Sequence, residues 1–303
     1  MLWLALACNQ GKSSFLMDEL RILAIQSDPA EIIVSNDSTI NTSEVSINLL
    51  TTDPLTQGGN IMLWTCFDIG EGCLEASIFE NSPASWFQLQ PLRQGTVNFS
   101  ISVPQALGEV LGTLPPDFLP FTLANIWAFT CAPGVCPSLE DAQNGTYDIE
   151  ALSQPFQLME TLPMEGTSLA YRSLILNTAV SEERVFNPTL QFLESETGPR
   201  SVAAGETLYL QFAYERFPNA TTEDDDTESD DKENEGALFY PFATVGEINR
   251  EESDSLYTEE ISGSLQVAID IPPETPAGNH HFFLSLENFN GGNDLWEGTF
   301  TVE

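Results

Sequence analysis

Short segments in which apolar and polar residues alternate recur along almost the whole chain. Residues 45–49, 96–103 and 265–269 alternate with a period of two. A β-strand with one buried face requires this period, because successive side chains point to opposite faces of a sheet. Turn residues such as those at 58–60 separate the segments. The pattern therefore predicts an all-β chain built from sandwiches.

The length of 303 residues is sufficient for two domains of ordinary size. We predict two tandem Ig-like β-sandwich domains, the first over residues 18–180 and the second over residues 187–303. A polar linker, residues 181–186, joins them. Pro241 falls within a strand-like run of the second domain. A proline inside a strand is typical of an edge or a bulge.

Two segments depart from the strand pattern. Residues 104–119 contain a helix-like apolar spacing that ends at two prolines, and we predict a short helix there. Residues 219–236 are densely acidic and contain no large apolar side chain. We predict a disordered loop inserted into the second domain, because like charges repel and nothing in the segment can be buried. A calcium-binding loop is the alternative, although the ligand spacing of an EF-hand is absent.

The charge balance excludes several classes of partner. The chain carries 46 acidic and 9 basic residues, for a formal net charge of −37. Such a surface repels phosphate backbones, so we expect no nucleic-acid binding. It also disfavours anionic membrane surfaces, except through a covalent anchor. Solubility is the simplest reason for the charge, and adaptation to salt or cation binding are the alternatives.

The N-terminus has features of an exported lipoprotein. We interpret residues 1–17 as the remnant of a signal peptide followed by a tether, with the true start lying upstream. Cys8 follows Ala7, as the lipidated cysteine of a bacterial lipobox follows a small residue, although Ala5 stands where a lipobox usually has Leu. We therefore predict a lipid anchor at Cys8. An incidental cysteine near a plain N-terminus is the alternative.

The other four cysteines form two close pairs in the sequence, Cys66 with Cys73 and Cys131 with Cys136. In an Ig-like sandwich, Cys66 and Cys131 are expected at opposite poles, too far apart for a disulfide between them. We therefore predict two local disulfides, one within each close pair. A zinc site made of the four thiolates is the alternative, but the spacings are unusual and export favours oxidation.

The two histidines and one aromatic segment are further candidates for a binding site. His280 and His281 are adjacent, so in a strand they point to opposite faces and are not placed to share a metal ion. We expect one exposed ring and one half-buried ring. Trp86 and Phe87, with Gln88 beside them, are expected to belong to the core. An exposed aromatic platform for a sugar is the alternative for this group.

Catalytic signatures are weak. The many carboxylates offer countless pairs for glycoside hydrolysis, and nothing distinguishes one pair from another. The Gly-x-Ser-x-Gly elbow of an α/β-hydrolase is absent from the sequence. Residues 290–294 are glycine-rich, and we predict a turn between the last two strands rather than a phosphate loop.

Several short motifs together resemble a known family. They are the segments 21–31, 64–66, 187–188, 240–247, 275–278 and 290–296. In this order they are similar to motifs of uncharacterised lipoproteins from myxobacteria and their relatives. The resemblance covers the chain from about residue 18 to the end, and it implies a second Ig-like domain that opens at Asn187. It implies no activity, because the family has none that transfers.

We predict an exported, lipid-anchored protein of the cell envelope, at the surface or in the periplasm, with a structural or interaction role and no catalysis. Its loops at 67–72 and 132–145 would be displayed to a partner. That partner is expected to be an envelope or extracellular protein or a glycan, and no cofactor or metal is expected. The alternatives are a carbohydrate- or cell-wall-binding module and a β-sandwich hydrolase.

Overall fold

The chain folds almost entirely into β-strands. The computed structural model describes residues 21–34, 40–52, 59–68, 86–103, 123–131, 169–176, 178–180, 186–193, 200–216, 236–288 and 292–303. The predicted helix at 104–119 and the acidic residues 219–235 lie outside these described residues.

The first nine strands build the first sandwich. They are β1 (Arg21–Asp28), β2 (Ile32–Val34), β3 (Glu44–Thr52), β4 (Asn60–Asp68), β5 (Phe87–Pro91), β6 (Gly95–Ser102), β7 (Leu123–Cys131), β8 (Leu169–Leu176) and β9 (Thr178–Val180). One antiparallel sheet has the order β1-β3-β6, and the other has the order β5-β4-β7-β8. A short parallel pair, β2 with β9, accompanies them.

The first core forms because both sheets turn their apolar residues inward. Ile47 and Leu49 on β3 are fully buried, and they alternate with more polar positions as the sequence predicts. From the other sheet, Trp64 on β4 is also fully buried, and its ring stacks on Phe87 with 6.3 Å between centroids. A buried tryptophan on the strand that opens the second sheet is a hallmark of Ig-like sandwiches.

Glutamine side chains join the two sheets along one side of the first sandwich. Gln88 on β5 donates from Nε2 to the carbonyl oxygen of Ser100 at 2.7 Å, and Gln90 donates to that of Asn98 at 2.5 Å. Both acceptors lie on β6, the outermost strand of the other sheet. These bonds occupy carbonyl groups that an edge strand would otherwise leave unpaired.

The remaining nine strands build the second sandwich. They are β10 (Thr189–Leu193), β11 (Ser201–Val202), β12 (Thr207–Glu215), β13 (Ala237–Ala243), β14 (Glu247–Ile248), β15 (Tyr257–Thr258), β16 (Ser262–Asp270), β17 (Gly278–Asn288) and β18 (Asn293–Val302). One sheet has the order β10-β12-β16-β14, and the other has the order β11-β18-β17-β13-β15. Strand β10 thus belongs to one sheet of this sandwich, and the next strand, β11, joins the other sheet, where it runs parallel to β18. This is an Ig-like arrangement, and the predicted all-β sandwich class is confirmed.

Aromatic side chains fill the second core. Phe212 on β12 is fully buried, and its ring meets Trp296 edge-on at 5.0 Å and Phe192 at 5.4 Å. The Phe192 and Trp296 rings stack on each other at 5.2 Å, and the Arg200 guanidinium lies 3.9 Å from the Phe192 centroid. Edge-to-face and cation–π contacts of this kind add to the stabilisation from apolar burial.

Pro241 occupies an edge-like position. β13 pairs with β17 over its whole length but with β15 only at Ala237 and Leu238. On the less paired side, Phe239 donates its N–H to the carbonyl of Leu256 at 2.9 Å. Two residues further along the same side, Pro241 has no N–H to leave unpaired, which is why the strand tolerates it.

Candidate functional site

Strand β1 sends apolar side chains into two different clusters. The pairing of β1 with β3 shifts register between Ile22 and Ala24, which marks a β-bulge at Leu23. A bulge adds one residue, so two successive side chains leave the strand on the same side. Ile22 and Ile25 therefore enter the first core, whereas Leu23 and Ala24 both join a separate cluster. The bulge explains why this segment is continuously apolar and does not alternate.

This separate cluster joins the two sandwiches, and we call it the domain junction. Its buried members are Leu23, Ala24 and Leu50 from the first sandwich and Phe242 and Phe283 from the second, with Tyr240 and Leu295 packed against them. Ala24 and Phe283 are fully buried. Each large apolar side chain removed from water in this way contributes about 1.5–3 kcal/mol. The junction therefore favours one fixed arrangement of the sandwiches over free movement.

Amide side chains surround the apolar part of the junction. Asn187 donates from Nδ2 to the carbonyl of Ser27 at 2.6 Å and accepts the N–H of Asn293 at 3.1 Å. Asn293 in turn donates to the carbonyl of Ile25, and Gln26 donates to the carbonyl of Asn293 at 2.9 Å. Side chains of each sandwich thus bind the backbone of the other. Such bonds specify the register of the two domains, because a shift would leave buried polar groups unpaired.

A carboxylate anchors the same region. Asp294 accepts the backbone N–H of Leu190 at 2.7 Å and of Leu295 at 2.8 Å, and the side chain of Gln26 at 3.2 Å. Burial raises the pKa of Asp294, although these three hydrogen bonds act in the opposite direction. Asp294 therefore ties the start of the second sandwich, at β10, to β18 and to the first sandwich.

A second polar contact lies at the start of β6. Thr96 donates to Glu297 Oε2 from its backbone nitrogen at 3.2 Å and from its hydroxyl at 3.1 Å. The preceding residue, Gly95, has a φ of +99°, and a Cβ atom there would lie 2.7 Å from Glu297 Oε1. The left-handed backbone is what favours glycine here, because the Glu297 carboxylate is the end of a flexible side chain and could move aside.

The predicted cysteine site is described in part. Cys66 lies buried on β4 and is disulfide-bonded, and Cys131 ends β7. Cys131 pairs in register with Asn60, six positions before Cys66 on β4. That offset is roughly 20 Å along a strand, beyond the limit of about 7 Å for the Cα atoms of a disulfide. A bond between Cys66 and Cys131 is therefore excluded.

The partner of Cys66 remains to be assigned. Cys8, Cys73 and Cys136 lie outside the described residues. The pairings Cys66 with Cys73 and Cys131 with Cys136 stay predictions, as does the lipid anchor at Cys8. Of the displayed loops predicted at 67–72 and 132–145, Phe67 and Asp68 belong to strand β4, so the first loop begins later than predicted. The remaining residues of both loops lie outside the described part of the chain.

The aromatic platform suggested for Trp86 and Phe87 is wrong. Both side chains are buried in the first core, as the core assignment predicts, and Gln88 is used to join the two sheets. The two histidines do face opposite ways. The ring of His280 lies 5.7 Å from that of Phe300 in the second core, and the ring of His281 stacks on Phe283 at 6.0 Å. As whole residues, both histidines are half-buried. The Nε2 atom of His280 forms an exposed hydrogen bond with the carbonyl oxygen of Pro276 at 3.2 Å, whereas the Nδ1 atom of His281 is buried.

A cavity of about 640 Å³ opens beside β13, next to the junction. Its lining comprises Leu238, Phe239, Tyr240, Phe242, Arg250, Ser253, Asp254, Ser255 and Leu256. Asp254 is the one carboxylate among these residues, and it accepts the N–H of Gln266 at 2.6 Å. Ser253 similarly accepts the N–H of Ala268 at 2.9 Å. These two side chains hold the segment along β16 and are not aimed at a ligand.

Within the described ranges, no three side chains of His, Cys, Asp or Glu come together as metal ligands would. A search of the same residues for helices found none with the length and hydrophobicity of a membrane span.

Sequence reasoning missed the junction. Asn187 was expected to open the second domain, and residues 290–294 were expected to form a turn. Neither expectation indicates that Asn293 and Asp294 bind the first sandwich. The sequence does contain one signal for the junction, because residues 22–25 are apolar at every position. A strand apolar on both faces needs a cover on both faces.

Comparisons with known proteins assign no family. No family model matches the chain, and no curated protein matches it. A conjugative transposon lipoprotein from Bacteroides eggerthii is 14% identical, with a TM-score of 0.24, over 37% of this chain and 95% of that one. The adhesin InvE from Yersinia pseudotuberculosis is 11% identical, with a TM-score of 0.21, over 91% of this chain and 58% of that one.

A third similar structure, alpha-2-macroglobulin from Escherichia coli, is 8% identical with a TM-score of 0.26, and the match spans 94% of this chain but 22% of that one. These proteins include a lipoprotein and an adhesin, yet TM-scores this low carry no argument about function. The resemblance to myxobacterial lipoproteins therefore stays a prediction.

Replacing Ala24 with Glu is expected to open the junction. The new carboxylate would be buried against Phe283 without a partner, and the free energy of unfolding should fall by at least about 2 kcal/mol. Denaturant unfolding measures the loss, and small-angle X-ray scattering should show a larger radius of gyration. Asn98→Glu, on the exposed part of the same sheet, is the matched control. Equal effects of the two variants would contradict the assignment of the junction.

The raised pKa of Asp294 predicts a specific dependence on pH. Its native state binds the proton more tightly than the unfolded state, so its contribution to stability is complete below the ordinary pKa and is lost as pH rises through the raised pKa. As the pH rises through and above the ordinary carboxyl pKa of about 3.9, wild type should lose stability relative to Asp294→Asn. Urea unfolding of both proteins across this range measures the difference. A relative gain by wild type would contradict the direction of the shift.

Peptide mapping without reduction tests the cysteine pairing. We expect one peptide pair that links Cys66 to Cys73 and another that links Cys131 to Cys136. The register of β4 and β7 already predicts that a link between Cys66 and Cys131 is absent. A link between Cys66 and Cys136 would show that the local pairing is wrong.

Proposed function

We propose that this chain is an exported, lipid-anchored protein of the cell envelope that presents two joined Ig-like sandwiches to a partner and performs no catalysis. The observation that carries this proposal is the domain junction. Its apolar cluster and the amide bonds around it are built into β1, β13, β17 and β18, so the arrangement of the sandwiches is part of the fold. A fixed arrangement is what a protein needs to hold binding surfaces in a constant orientation.

The disulfide at Cys66 supports the export part of the proposal. Disulfides persist in oxidising compartments such as the periplasm and the cell surface, and they are rare in a reducing cytosol. Cys66 is buried on β4. A buried disulfide there is structural, because it belongs to the first core and lies away from solvent.

The net charge of the chain supports attachment through a covalent lipid. With a net charge of −37, the chain is repelled by anionic lipid headgroups and by nucleic acid. Stable attachment to a membrane then depends on a covalent lipid, for which we propose Cys8. Display at the surface of the outer membrane and display in the periplasm are both compatible with this anchor.

The hydrolase alternative has little support in the described residues. Glycoside hydrolysis by a carboxylate pair needs two carboxyl groups about 5–9.5 Å apart across a cleft. The cavity beside β13 is lined by one carboxylate, Asp254, and that group is bonded to the backbone of β16. The geometry therefore favours an interaction role over catalysis.

Metabolic labelling with a fatty-acid analogue tests the anchor. In a bacterial host that lipidates exported proteins, wild type should be labelled and recovered with membranes, whereas Cys8→Ser should be unlabelled and recovered in the soluble fraction. Ser13→Ala, in the proposed tether, is the control and should behave as wild type. Labelling of Cys8→Ser at the wild-type level would refute the anchor.

A further inference from the structure

The outer face of the β10-β12-β16-β14 sheet carries one exposed aromatic ring. Leu208 and Leu210 on β12 enter the second core, so Tyr209 between them points outward. The Tyr209 side chain is 49% exposed. Single exposed apolar side chains are common on protein surfaces, so the neighbours of Tyr209 must indicate what the ring is used for.

The Tyr209 side chain reaches across the neighbouring strand. Tyr209 pairs in register with Ala268 on β16, and its hydroxyl donates to Glu252, in the segment on the far side of β16. The ring must therefore cross above Ala268 to reach Glu252. Ala268 supports this geometry, because it stands on the outer face and yet is 0% exposed. The Tyr209 side chain thus accounts for the burial of Ala268 and keeps about half of its own surface exposed.

Polar side chains hold fixed positions on both sides of the ring. On one side, Gln211 approaches the amide oxygen of Gln266 at 3.5 Å, and Gln266 donates to the carbonyl of Glu252 at 3.1 Å. On the other side, Asp270 accepts the hydroxyl of Thr207 at 2.7 Å and the amide of Asn249 at 3.0 Å. These bonds order the side chains before any ligand arrives, which lowers the entropy cost of binding.

We propose that this surface binds a pyranose residue of a neutral polysaccharide. We call it the Tyr209 platform, made of Tyr209, Gln211, Gln266, Glu252, Asp270 and Asn249. A pyranose ring has an apolar face of C–H groups that stacks on a flat aromatic ring, and hydroxyl groups at its edge that bond to amides and carboxylates. The inference rests on the proposed interaction role and names the class of its partner.

The charge and the composition of the platform decide between possible occupants. Two carboxylates, Glu252 and Asp270, border the ring, so an anionic glycan or lipid headgroup would be repelled. A second copy of the chain would need an apolar centre at the contact, as stable dimers have. The platform offers one aromatic ring in a polar surround, which matches a neutral sugar better.

Affinity electrophoresis in native gels tests the platform. Gels would contain dextran, barley β-glucan, xylan or galactomannan, with alginate as the anionic control. At least one neutral polysaccharide should retard wild type, and Tyr209→Ala should bind it at least about tenfold more weakly. Tyr209→Phe keeps the aromatic ring but loses the bond to Glu252 that positions it, so it should bind more weakly than wild type and more tightly than Tyr209→Ala. Tyr257→Ala removes an exposed tyrosine elsewhere and should match wild type, while alginate should retard none of them.

Two results would overturn the platform. They are no retardation by any neutral polysaccharide and equal retardation of wild type and Tyr209→Ala. Concentration-dependent sedimentation of wild type that Tyr209→Ala abolishes would assign the face to a second copy instead. Equal thermal midpoints of the variants show that folding is intact. None of these results bears on lipid labelling at Cys8, so failure of the platform is distinguishable from failure of the proposed anchor.

Discussion

The burial of Leu23 and Ala24 in one cluster with Phe242 and Phe283 decides how the two sandwiches are arranged. Because the bulge in β1 turns these two neighbouring side chains to one side, the strand serves the core of its own sandwich and the junction together. Without the bulge, strict alternation would return one of them to the first core. A single added residue therefore converts an ordinary strand into the link between two domains.

The junction covers one outer face of the second sandwich and leaves the opposite outer face exposed. Phe242, Phe283 and Leu295 place the junction on the outer side of the β11-β18-β17-β13-β15 sheet, so that this side is partly covered by the first sandwich. The opposite outer side, on the β10-β12-β16-β14 sheet, keeps the exposed Tyr209 ring. The junction thus leaves the second sandwich with its free surface directed away from the first, as a binding module held in a fixed orientation requires.

The sequence predicted what depends on local pattern and missed what depends on a distant partner. Alternation identified strands such as β3 and β12, because one face of each lies on a core and the other does not. Tyr209 was passed over, since the placement of its side chain follows from its bond to Glu252, forty-three positions away in sequence. The roles of Asn293 and Asp294 were equally hidden, because the sequence indicated a turn at 290–294, whereas both residues begin strand β18 and contact the first sandwich.

Differential scanning calorimetry of the whole chain tests most directly whether the two sandwiches behave as one unit. If the junction couples them, we expect a single transition in which the calorimetric and van't Hoff enthalpies agree. Two separate transitions, or a calorimetric enthalpy close to twice the van't Hoff value, would contradict the coupling. In that case the domains would unfold independently, and the junction would be too weak to fix their arrangement.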